Sequence, residues 1–152
     1  MIVRFIPIAT VIAALAAFGA DDSFTGTWKL NLQQSKLPRP APRSETARIE
    51  ADAKSIRIHL QGVDDEGNEF SLKISADFGG RDFGVLNSSK VDTVRLDRRN
   101  NRSISFEALQ SGISVMTGTG SISRDAKTLK VEFSVLRLDG PEAKYVALFA
   151  RQ

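Results

Sequence analysis

The sequence predicts an all-β domain folded as an antiparallel meander, either a sandwich or an up-and-down barrel. Three observations predict it. Apolar residues recur with period two in run after run, turn-forming clusters interrupt the runs at short intervals, and no window downstream of the leader sustains a helical period. The 152 residues suit one domain with its own core, and 41% hydrophobic with 26% charged residues marks a globular chain rather than a disordered one.

The chain opens with a short basic start, Met1 to Arg4, then an apolar run from Phe5 to Ala17, then small residues before Asp21-Asp22. These are the three parts of a secretory signal peptide. Cleavage after Ala16 or after Gly19 satisfies the small-x-small rule, whereas cleavage after Ala20 places Phe18 where a small residue is wanted. The expected division is a signal peptide at 1–20 and a β-domain at 21–152. The apolar run is short of the roughly 20 residues a membrane span needs, an uncleaved anchor being the alternative. The mature protein is therefore expected to be secreted or periplasmic, monomeric, and without a membrane span. Cysteine is absent, so disulfides, thiolate metal sites and cysteine nucleophiles are excluded, and stability rests on the core.

Taken in order, Trp28 to Leu32 opens the first strand. The segment Leu37-Pro38-Arg39-Pro40-Ala41-Pro42-Arg43 cannot pair centrally in a sheet and reads as a stiff connection. Ile49 and Ala51 then alternate with Arg48 and Glu50; Ile56, Ile58 and Leu60 with Arg57, His59 and Gln61; Phe70, Leu72, Ile74, Ala76 and Phe78 with Ser71, Lys73, Ser75 and Asp77. Val94 and Leu96, then Ile104, Phe106 and Ala108, then Leu129, Val131, Phe133 and Val135 continue the pattern. Turns are expected at Asp64–Asn68, Gly79-Gly80, Arg99–Asn101, Ser111-Gly112, Arg124–Lys127 and Asp139–Pro141. The apolar phase slips at Val115-Met116 and at Val135-Leu136, and Gly118-Thr119-Gly120 reads as sheet curvature, since no helix follows to make a phosphate loop.

A formal charge of +3 makes no electrostatic case for nucleic acid. The arginine cluster from Arg95 to Arg102 reads as a solvated loop, and Arg81, Arg95 and Arg124 as solvated surface, with the rim of a mouth as the alternative. His59, the sole histidine, lies on the polar phase of its strand, has no metal-ligand spacing, and reads as a surface residue. No serine sits in a nucleophile elbow, and Asp64-Asp65-Glu66-Gly67-Asn68 lacks calcium-loop spacing. Neither a catalytic residue, a metal ligand nor a cofactor is assigned. A small hydrolase using His59 ranks last among the readings.

At Gly26-Thr27-Trp28 the chain resembles the calycin group, the lipocalins and fatty-acid-binding proteins, in which a Gly-x-Trp motif opens the first strand. Phe24 to Asn31, Ser35-Lys36, the Pro-Ala-Pro loop and Thr46 to Glu50 look like a set of small exported lipocalin-like bacterial proteins. The resemblance implies a single antiparallel up-and-down β-barrel of about eight to ten strands. It implies that Trp28 plugs the closed end, with Gly26 and Arg151 as structural partners and Arg151 stacked over the indole; Arg137 is the weaker candidate. There is no match to the lipocalin Thr-Asp-Tyr motif, no helix pair at 33–45, and no Arg-x-Tyr clamp at Tyr145, which argues against a fatty-acid ligand. The inward phase is bulky at Phe70, Leu72, Phe78, Phe106 and Phe133, the candidate ligand-binding residues, and small at Ala47, Ala51, Ala76 and Ala108. The expected function is non-catalytic binding of a small apolar or amphipathic molecule. The alternative is a filled-barrel structural or interaction protein of the cell envelope.

Overall fold

The computed structural model describes residues 22–136 and 139–152; the leader and Arg137 lie outside them. Ten strands follow one another: β1 (Gly26–Leu30), β2 (Ser44–Ala51), β3 (Ser55–Val63), β4 (Glu69–Asp77), β5 (Phe83–Leu86), β6 (Thr93–Asn100), β7 (Ser103–Gln110), β8 (Ile113–Ile122), β9 (Thr128–Val135) and β10 (Ala143–Arg151). Each pairs antiparallel with its neighbours in sequence, and β1 pairs with β10, so the sheet closes into a barrel with no free edge.

Period-two patterning sets the register. In the β3–β4 hairpin Ile58 faces Ile74 and Leu60 faces Leu72, while His59 opposite Lys73 points to solvent. The turns use local side-chain acceptors. Asp64 Oδ1 accepts hydrogen bonds from the backbone N–H of Glu66 and Asn68 at 2.9 and 2.8 Å, and Asp52 Oδ1 does the same for Lys54 and Ser55 at 2.8 and 2.9 Å. The two-residue β7–β8 turn places Ser111 at φ 51° and Gly112 at φ 78°, the paired positive dihedrals that a tight hairpin requires.

The slip at Val115 is a bulge: Ala108 pairs with Met116 and Leu109 with Ser114, leaving Val115 unpaired in the ladder. Gly118 is a packing position. A Cβ there would collide with the carbonyl of Glu132 and the ring of Phe106, its cross-strand partner. Period two did not reveal β5, whose four residues form only two register pairs on each side.

Up-and-down connectivity gives the barrel two unlike ends. The N-terminal segment, the C-terminus and the β2–β3, β4–β5, β6–β7 and β8–β9 turns gather at one end, the base. The proline segment and the β3–β4, β5–β6, β7–β8 and β9–β10 connections gather at the other, the mouth. The core runs between them, from Trp28 and Phe24 through Ile49, Ile104 and Phe149.

Candidate functional site

The base is sealed by interlocking aromatic and guanidinium groups. Trp28 is fully buried, and its Nε1–H donates to the Phe24 carbonyl at 3.0 Å. The Arg151 guanidinium lies 4.1 Å from the indole centroid. It also donates to the carbonyls of Ala126, Thr25 and Ser23 at 2.7, 2.7 and 2.8 Å, tying the β8–β9 turn to the N-terminal segment. Gly26, at φ 148°, leaves room for this group, because a Cβ there would collide with it. Of the two arginines considered for the stack, Arg151 occupies it.

A second arginine crosses the same end. Arg98 is not part of a solvated loop, as its cluster suggested: its side chain is only 13% exposed. It pairs with Asp22 at 2.7 Å, donates to the carbonyls of Asp52, Asn100 and Asn101, and lies over the rings of Phe24 and Phe78. The sequence signal for it is weak, since Arg98 sits among Arg95, Arg99 and Arg102, which share its composition but not its burial.

Above this seal lies a cavity of about 480 Å³. Its walls are the inward phase of nearly every strand, with Ile49, Leu60, Leu72, Phe106 and Phe133 among them, and Gly120 contributes bare backbone to the lining. Leu37, Pro38, Pro40 and Pro42 partly roof it, so the stiff connection between β1 and β2 also forms one side of the mouth. Val85, Ser88, Lys90 and Val91, from β5 and the β5–β6 connection, form the other.

Of the five aromatic and aliphatic residues expected to touch a ligand, the structure brings Leu72, Phe106 and Phe133 to the cavity wall. Phe70 shares their phase but lies opposite Gly62 toward the mouth end of β4, outside the wall. Phe78 follows β4 at the base and packs under Arg98 instead. Arg81, Arg95 and Arg124 are not at the mouth. Arg81 and Arg124 belong to base turns, Arg81 pairing with Asp77, and Arg95 pairs with Glu107 at 2.8 Å and with Asp82.

Polar side chains are few on this wall: Glu45, Ser88 and Lys90. Glu45 falls in the same phase of β2 as Ala47 and Ile49, so the strand turns its carboxyl inward. Burial, with no compensating hydrogen bond or ion pair, pushes its pKa up to about 7 from the ordinary 4.5. Glu45 was not among the expected site residues, although the alternation carries the signal: it is two residues before Ala47 in an apolar phase. His59 is on the outer face, its Nε2 2.7 Å from Ser71 Oγ. Among the described residues, no carboxylate orients the other side of that ring, and no cluster of three or more His, Asp or Glu could hold a metal ion.

No family model matches this sequence, and no curated protein matches it either. Among solved structures it is similar to apocrustacyanin C1, at 11% identity and a TM-score of 0.51, and to apocrustacyanin C2, at 10% identity and a TM-score of 0.51. Each match covers 86% of this chain but 62% of the neighbour, so the chain spans less than two thirds of either protein's length. At such identities the likeness concerns the fold alone. The closed antiparallel β-barrel, sealed at one end by the tryptophan of its first strand, is calycin-like.

Proposed function

We propose that this protein is an exported, non-catalytic carrier that binds one small apolar or amphipathic molecule inside its barrel. One observation carries the reading: a cavity of about 480 Å³, walled by apolar side chains, sealed at the base and reached from the mouth. That volume lies within the range of small-molecule sites, and its few polar groups match how such sites fix orientation. Export rests on the leader's three-part composition, and no helix of the described residues is long and apolar enough to cross a membrane.

The test is native mass spectrometry of the mature protein purified from the cells that make it, with organic extraction of what is bound. A reproducible adduct that leaves on denaturation supports the carrier and identifies its ligand class. A clean apo mass, with no shift in melting temperature across a panel of lipids and small metabolites, refutes it.

One observation favours a second reading, an interaction protein of the cell envelope. Leu86 and Ile113 are each 62% exposed, with Leu32 and Leu136 near 40%, and all four stand at strand ends on the mouth side. In that case Leu86→Ser/Ile113→Ser abolishes association with a partner and leaves the cavity's contents unchanged.

A further inference from the structure

A carboxyl group inside an apolar cavity is an expensive choice. Leu or Ala at position 45 would extend the phase of Ala47 and Ile49 without desolvating a charge. Glu45 is only partly exposed, and among the described residues no hydrogen bond or ion pair engages its carboxyl. Its position is also informative. Glu45 lies opposite Gly62 near the mouth ends of β2 and β3, so the apolar volume extends beneath it toward Trp28. An amphipathic molecule entering tail first would fill that volume and stop with its head beside Glu45.

We infer that Glu45 is the polar anchor of the cavity, and that its ligand has an apolar body with a hydrogen-bond-donating head, an alcohol or a protonated amine. This rests on the carrier reading above and narrows it. An ionised carboxylate only accepts hydrogen bonds, so it selects a donor. A carboxylate-headed ligand would bring a second negative charge beside the partly buried Glu45, and like charges at that distance repel. Lys90, the sole other charged side chain on the wall, is solvent-exposed on the β5–β6 connection and would draw an anion outward rather than down to Glu45. Arg39 and Asp65 line an adjoining groove that shares Leu37, Pro40 and Pro42 with the mouth but stand outside the cavity wall, where Leu37, Pro42, Leu60 and Val85 bring no charge.

The test titrates the mature protein with dodecylamine and dodecanoate, each below its micelle concentration, and with dodecan-1-ol below its solubility limit, by calorimetry at pH 8. At least tenfold tighter binding of the amine or the alcohol than of dodecanoate is expected, with Glu45→Gln removing most of that preference and Lys90→Gln sparing it. Loss of amine affinity between pH 8 and pH 6 in wild type but not in Glu45→Gln supports the anchor, and an amine affinity equal at both pH values in wild type refutes it. If the three bind alike to wild type and to Glu45→Gln, or if dodecanoate binds tightest and Lys90→Gln abolishes it, the anchor is refuted while the carrier stands. If neither these probes nor the neutral aromatic probe N-phenyl-1-naphthylamine binds, the carrier reading fails and the anchor with it.

Discussion

Arg151→Ala should remove much of what closes the base. The guanidinium stacks 4.1 Å from the Trp28 centroid and donates to the carbonyls of Ser23, Thr25 and Ala126, so one truncation breaks four contacts. A cation–π contact is worth about 0.5–2 kcal/mol, and a hydrogen bond to a charged group about 1.5–3 kcal/mol. Their sum would overshoot, because the contacts share one side chain and the guanidinium is half-buried rather than dry. Discounted by about half for that sharing and exposure, the loss is about 3–5 kcal/mol, against a total stability of about 5–15 kcal/mol for a domain. With a urea dependence of about 1–3 kcal/mol per molar, the midpoint should fall by about 2 M. The sole tryptophan is the reporter, since its fluorescence follows the base itself. Arg151→Lys should recover less than half the loss, because an ammonium cannot stack on the indole and serve three divergent carbonyls together. A midpoint shift below about 0.5 M in Arg151→Ala would show that the clamp is ornamental, and the sealed-base argument would fall.

Trp28→Ala leaves a large void under Arg151 and should cost about 3–5 kcal/mol, a large share of the domain's stability; a cooperative melt near the parent's temperature would contradict this. Gly118→Ala drives a methyl into the Phe106 ring and the Glu132 carbonyl and should cost about 1–3 kcal/mol, read by thermal melting, with Phe106→Leu recovering part of it if the ring is the obstacle. Gly120→Ala meets only ordinary contacts near Leu129 and Phe24, at 3.8 and 3.9 Å, so it should melt within about 0.5 kcal/mol of the parent. Glu45 sets a pH dependence whose sign is fixed. Its folded pKa, about 7, lies above the ordinary 4.5, so the native state holds the extra proton between those values. Stability is then full below about 4.5 and declines as pH rises to about 7, by up to about 3 kcal/mol. Urea midpoints of wild type and Glu45→Gln across pH 4.5–8 check it: their difference should grow with pH. The exposed Asp52, Asp92 and Asp125 act in the opposite sense, since backbone and side-chain hydrogen bonds hold their pKa values down and their contributions fade as pH falls.

The barrel was legible where side-chain phase and turn chemistry agree. Ile58 with Ile74, the Ser111-Gly112 turn and the bulge at Val115 follow from local pattern, because one buried face fixes register and one inserted residue must break it. Trp28 and Arg151 were legible only through resemblance, since nothing local in either strand says that the first and last strands meet. β5 was not legible. Four residues are too few for a period to stand out, and its pairing comes from the neighbours it closes against. Arg98 was hidden because burial there depends on three chain segments meeting at the base, a long-range fact that composition cannot encode.

The two ends of the barrel differ in kind. At the base the groups that form the seal answer one another: the indole N–H by Phe24, Arg151 by carbonyls, Arg98 by Asp22 and the carbonyls of Asp52, Asn100 and Asn101. Such mutual satisfaction makes a rigid end, because moving any member leaves another unpaired. At the mouth the pattern reverses, with a carboxyl unanswered at Glu45, a proline segment in place of a strand, and four large apolar side chains facing solvent. Glu45 and the proline segment depart there from the pattern of the surrounding strands, and such departures are where function is to be sought. Glu45 is the sharpest case, because Glu45, Ala47, Ile49 and Ala51 share one face and only Glu45 gains nothing there from the fold itself.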